Sequence, residues 1–104
     1  SQRASSFGQL ERDEISETLE LQVSQCKFKV KEANRRLTLA RKNVENAEEN
    51  LRCANVGFKE GVLQTTDVMA AQTAWLQAQS QKIDAEIDVR LSQVNLKKAL
   101  GVLQ

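Results

Sequence analysis

A heptad seam constrains this chain more than any other feature of its sequence. Stepping from Leu19 by four and three residues alternately meets Leu19, Val23, Cys26, Val30, Ala33, Leu37, Ala40, Val44, Ala47, Leu51, Ala54 and Phe58, all apolar. At the apolar share of 40%, such a run has a chance on the order of 10⁻⁴ over the seven registers. The pattern predicts one long helix with a coiled-coil face. A second seam runs through Val68, Ala71, Trp75, Ala78, Lys82, Ala85, Val89, Ser92, Leu96, Ala99 and Leu103, with only Lys82 and Ser92 not apolar. Beside it, Met69, Leu76, Ile83, Ile87 and Val94 form another stripe about 100° round the helix. A helix with two apolar stripes meets more than one neighbour.

Both seams alternate small residues with large ones. Cys26, Ala33, Ala40, Ala47 and Ala54 are the small series of the first, and Ala71, Ala78, Ala85, Ser92 and Ala99 that of the second. Folded back antiparallel about Val62, the chain sets Ala54 against Ala71, Ala47 against Ala78 and Ala40 against Ala85. Small residues facing small ones bring helix axes to the lower end of the ~8–10 Å range. The same register aligns Arg36 with Asp88 and Arg41 with Glu86, pairs worth about 0.2–1 kcal/mol each if exposed. Trp75 falls on a large seam position and reads as packing.

The expected fold is therefore all-α, a long antiparallel two-helix coiled-coil hairpin. Its first helix spans about 9–58, its tip 59–64 and its second helix about 65–103. At 1.5 Å per residue the helices would be ~75 and ~58 Å long. Such a rod cannot enclose a core, so its second stripe needs a partner, and the chain reads as a fragment of something larger. Gly61 is placed to end the first helix in the left-handed conformation. Gln64, Thr65 or Thr66 starts the second, with Asp67 in its first turn facing unpaired N–H groups.

Composition narrows the function. The 104 residues carry 15 Lys+Arg, 14 Asp+Glu, no His and no Pro, for a net charge of +1. That balance argues against bulk attraction to nucleic acid or an anionic membrane. The basic run 27–42 reads as a solvated face, since Phe28 alone could stack on a base. Without His the commonest general base and metal ligand is missing, and no catalytic constellation remains, so no enzyme, metal or cofactor is expected. Cys26 and Cys53 are too few for a zinc site and would lie ~40 Å apart on one helix. Cys26 fills a small seam position. Cys53 is placed to bond another molecule in an oxidising compartment. No run nears the ~18 apolar residues of a membrane span, and no signal peptide is visible.

Around the turn the sequence reads Phe58-Lys-Glu-Gly61, then Asp67-Val-Met-Ala-Ala-Gln72, and near the end Ala99-Leu-Gly101. Asn50-Leu-Arg precedes the tip and Ala78-Gln follows it. In order and spacing these motifs resemble the outer-membrane efflux protein family, the TolC-like channels, over most of 19–104. The resemblance implies a trimer, with β-strands in the outer membrane and an α-helical barrel in the periplasm. This segment would be one hairpin of that barrel, lying in the periplasm, with the membrane strands elsewhere in the protein. Its extra stripe would meet adjacent hairpins. Its partners would be a periplasmic adaptor protein and an inner-membrane transporter, and substrates would leave through the central tunnel.

The resemblance also implies residue roles. Glu60, Gly61, Val62 and Leu63 would form the adaptor-docking tip, and Phe58 and Asp67 would stand at the channel entrance. Three copies of Asp67 would make an acidic ring that attracts cations. Three of these residues have a structural reading beside the functional one: helix stop for Gly61, last seam residue for Phe58, helix-start stabilisation for Asp67. The chain departs from the family pattern at Glu60 (commonly Val), Phe58 (commonly Tyr), Leu63 (Arg in some relatives) and Ala70 (a second Asp). Two further readings are the hairpin of a periplasmic adaptor and a coiled-coil scaffold with no transport role. An adaptor would show lipoyl-like flanks and an Arg-Leu-Ser/Thr-type tip, which this sequence lacks.

Overall fold

The computed structural model describes residues 2–103, with side chains over 6–102. Two helices account for nearly all of it: α1 over Gln2–Lys59 and α2 over Thr65–Leu103. Among the described residues there is no strand. The expected all-α, two-helix coiled-coil hairpin is the fold found. Without proline, nothing in either helix removes a backbone donor or forces a kink. α1 begins well before residue 9, because Gly8 costs a helix interior only about 1 kcal/mol and does not stop it.

The chain divides into two compact units. The tip unit is Ala33–Val89, and the tail unit joins Ser1–Glu32 with Arg90–Gln104. In the tip unit, Ala33, Leu37 and Ala40 of α1 cluster with Ala85 and Val89 of α2. Nearer the turn, Val44 and Ala47 cluster with Ala78, and Trp75 packs against them. Ala40 with Ala85 and Ala47 with Ala78 is the register the two alanine series predict. Ala54 is buried as well, and Ala71 and Val68 are half-buried. Methyl groups at the contact leave room for two backbones to approach closely, and each buried CH₂ contributes about 0.8 kcal/mol.

In the tail unit Val23 is buried, while Leu19, Cys26 and Val30 of α1 and Ser92, Leu96 and Ala99 of α2 are half-buried. Every described seam residue except Phe58 is thus at least partly covered. Phe58 is 49% exposed. Phe58 stands in the last turn of α1, which ends one residue later, so no further turn of the seam covers its ring. By contrast the second stripe stands in solvent: Met69, Leu76, Ile83, Ile87 and Val94 are all exposed.

The expected pairs Arg36–Asp88 and Arg41–Glu86 do not close as ion pairs among the described residues. Long hydrated side chains gain little from holding one geometry in water, so apolar packing sets this register. One ion pair that does form is local: Arg52 with Glu49, one turn apart on α1.

Candidate functional site

The tip is built by two helix ends. Gly61 has φ +76°, the left-handed conformation that glycine reaches without a Cβ clash. Its N–H donates to the Phe58 carbonyl at 3.1 Å, and the Val62 N–H donates to the Gly57 carbonyl at 2.8 Å. That is a Schellman stop, in which the last turn's orphan carbonyls are taken by the residues that reverse the chain. The Leu63 N–H also reaches the Gly57 carbonyl, at 3.1 Å. Leu63 then lays its side chain on Gly57, where a Cβ would meet its Cδ1 at 2.7 Å and its Cγ at 2.9 Å. Gly57 is therefore a seat for Leu63.

Gln64 is the N-cap of α2. Its carbonyl accepts from the Asp67 N–H at 3.0 Å and the Val68 N–H at 3.4 Å. Its own N–H donates to the Asp67 carboxylate, Oδ2, at 2.9 Å. This is the returning half of a capping box, and the carboxylate also lies at the positive end of the helix dipole. The helix-start reading of Asp67 is what the geometry carries.

The expected tip residues thus come together, with unequal duties. Gly61, Leu63 and Asp67 hold the turn. Glu60 is exposed, Val62 is 75% exposed, and neither side chain holds the turn. The Gly57–Leu63 contact was not read from the sequence. Its signal was the second glycine four residues before Gly61, a spacing that puts a bare backbone one turn below the stop.

Behind the tip, Arg36, Leu39, Ala40 and Asn43 of α1 face Gln81, Asp84, Ala85 and Asp88 of α2 across a groove of about 250 Å³. Its floor is Ala40 and Ala85, and its rim is charged. Cys53 is exposed and Cys26 half-buried, both as free thiols. On α1, the Arg52 guanidinium donates Nε–H to Glu49 Oε2 at 3.0 Å. Through that bond and its charge, it holds the Glu49 carboxyl below the usual carboxylate range. The Cys53 thiol lies 3.6 Å from Glu49 Oε1. Among the described residues no cluster of acidic or cysteine side chains could hold a metal ion, and no helix is long and apolar enough to cross a membrane.

The described residues thus form a two-helix hairpin stitched by alanines, closed by a glycine stop and leaving one apolar stripe bare. The outer membrane efflux protein family model matches residues 8–102, and the chain belongs to that family. Its members are outer-membrane channel proteins for transport rather than enzymes, and they are trimers that work with adaptors and transporters. Comparison with curated proteins and with solved structures finds no match.

Proposed function

We propose that this chain is a periplasmic coiled-coil segment of a trimeric outer-membrane efflux channel. It forms part of the tunnel wall and docks a periplasmic adaptor at its tip, with an inner-membrane transporter beyond. One observation carries the reading: the family match over 8–102 spans both alanine-seamed helices and the tip between them. The bare stripe of Met69, Leu76, Ile83 and Ile87 supports it, because a wall helix needs a neighbour on its outer side.

At the tip, Glu60 and Val62 present free side chains to an adaptor, on a turn held by Gly61 and Leu63. Phe58 and Asp67 lie toward the channel entrance, Phe58 as an exposed ring and Asp67 as a carboxylate already engaged by Gln64. The test uses the full-length parent protein. Val62→Glu with Glu60→Arg changes side chains that do not hold the turn, so its effect reads docking alone. Loss of export by that double variant, and adaptor cross-linking to a photoreactive residue placed at position 62 of the otherwise unaltered protein, are the expected results. Full export and no cross-link at that position would remove the docking claim.

A further inference from the structure

α1 is unbroken over Gln2–Lys59, and its outward face carries a pattern that the hairpin does not use. Phe7, Leu10, Leu21, Phe28 and Leu39 are 58–72% exposed. At 100° per residue they fall in one stripe about 60° wide, about half a turn round the helix from the seam that meets α2. The gaps along this face are filled by Glu14 and Glu17 before Leu21 and by Lys31 and Arg35 after Phe28, all exposed. Charge divides α1 at the same place. Residues 10–24 carry Glu11, Asp13, Glu14, Glu17 and Glu20 against Arg12, a net −4. Residues 25–39 carry Lys27, Lys29, Lys31, Arg35 and Arg36 against Glu32, a net +4. Widened to 3–24 and 25–46, the halves stand at −3 and +5, so the division does not depend on where the count stops.

We infer that this face pairs two copies of the chain, α1 against α1 in opposite directions, with the two-fold axis between Ser24 and Gln25. The occupant is a second copy because the stripe is its own complement. Turned end for end about that point, Leu21 comes level with Phe28, and Leu10 with Leu39. Glu14 comes level with Arg35, and Glu17 falls within one residue of the level of Lys31. Each contact occurs twice, as an isologous interface requires. Charges on a coiled-coil face fix its register and direction, because each needs its opposite across the contact. Parallel copies in register would instead set Glu14 on Glu14 and Arg35 on Arg35. Arg35 already has a partner within its chain, and the five donors of a guanidinium leave room for a second carboxylate. The same patch serves both copies, so association stops at the dimer. Hairpins in a closed ring point one way, whereas these two point opposite ways. A chain so paired therefore stands outside the tunnel wall, and the pair competes with wall assembly. The inference goes beyond the channel reading and does not rest on it.

The experiment uses this chain and sedimentation equilibrium at low salt, where the parent should form a dimer and nothing larger. One variant reverses the acids (Glu14→Lys, Glu17→Lys), and the other reverses the bases (Lys31→Glu, Arg35→Glu). Either variant alone should associate about tenfold or more weakly than the parent, because its stripe then carries one sign. Mixing the two should restore the dimer, since each supplies the charges its companion now needs. Circular dichroism on each variant checks that helicity is kept. The milder pair Glu17→Lys and Lys31→Glu repeats the test should a double variant unfold. Direction is read by disulfides in a background of Cys26→Ser and Cys53→Ser. Chains with Leu21→Cys should join chains with Phe28→Cys under mild oxidation. Leu21→Cys chains alone should stay reduced, their cysteines being about 10 Å apart along the axis, beyond the ~7 Å limit for a disulfide. A monomeric parent, an assembly larger than a dimer, a reversed variant that associates as the parent does, a mixture that stays apart, or Leu21→Cys chains that join one another overturns the inference. Export by the full-length protein is a separate readout, so this pair and the channel reading fail independently.

Discussion

Replacing Ala47 by Trp tests the close seam where it is most easily wedged. Ala47 is buried with Val44 and Ala78, and Trp75 packs against the three. An indole has no room between two backbones held apart by methyl groups, so the helices must separate locally. Separation re-exposes Val44, worth about 1.5–3 kcal/mol, and Ala78, worth about 0.8 kcal/mol. Contact between the new ring and Trp75 returns about 0.5–1.5 kcal/mol. The net loss is about 2 kcal/mol, within the usual range for overpacking. For a chain of this size, that lowers Tm by about 8–16 °C. Thermal melts followed by far-UV circular dichroism read it, at several concentrations so that any contribution from association shows. Asn46→Trp is the control: the same ring at the adjacent exposed position should change stability by no more than about 0.5 kcal/mol. If the two variants melt within a few degrees of each other, the seam is not a close contact and the reasoning fails.

Other perturbations follow from the tip and the surface. Gly61→Ala meets no atom, yet it forces a side chain into the left-handed region, which costs about 1–2 kcal/mol. After the smaller gain from a stiffer unfolded chain, urea denaturation should show a net loss near 1 kcal/mol. Gly57→Ala should unseat Leu63 and raise hydrogen exchange at residues 62 and 63, although alanine favours helix by about 1 kcal/mol; unchanged exchange would contradict the seat. Asp67→Ala should remove the bond from the Gln64 N–H and cost about 1 kcal/mol, read as a lower denaturation midpoint. Because Arg52 lowers the folded pKa of Glu49, the stabilisation from that pair is present above the unfolded pKa. It is lost as pH falls through the folded one. An NMR titration should find Glu49 below the ordinary carboxylate range in the parent and back within it in Arg52→Gln.

The seam residues show how much a period can reveal. Ala33, Ala40, Ala47, Ala78 and Ala85 are buried because a strict heptad on a helix can present only one face, and that face is decided by sequence alone. Gly61 was legible for a related reason: a glycine after a long apolar run, with Asp67 six residues on, leaves few places to reverse the chain. Three features were not legible. Whether Arg36 reaches Asp88 depends on rotamers whose energies differ by less than the hydration they would lose. Phe58 follows the seam pattern, but its exposure depends on how the tip closes beyond the last turn of α1. Leu63 packs on Gly57 only because the Schellman geometry turns it back, and no periodicity encodes a contact made by a turn. The sequence motifs brought the expected tip residues to one place. They did not separate those that hold the turn, Gly61, Leu63 and Asp67, from those that face outward, Glu60 and Val62.

Cross-linking across the seam tests the hairpin and its register most directly. In a background of Cys26→Ser and Cys53→Ser, the pair Ala40→Cys with Ala85→Cys should form an intramolecular disulfide under mild oxidation, since facing residues of closely packed helices fall within the ~4.4–6.8 Å Cα range that a disulfide needs. Ala40→Cys with Ala78→Cys, two turns out of register, should remain reduced within the monomer. A bond in the second pair and none in the first would contradict the antiparallel alanine register on which the fold and the proposed channel wall both stand.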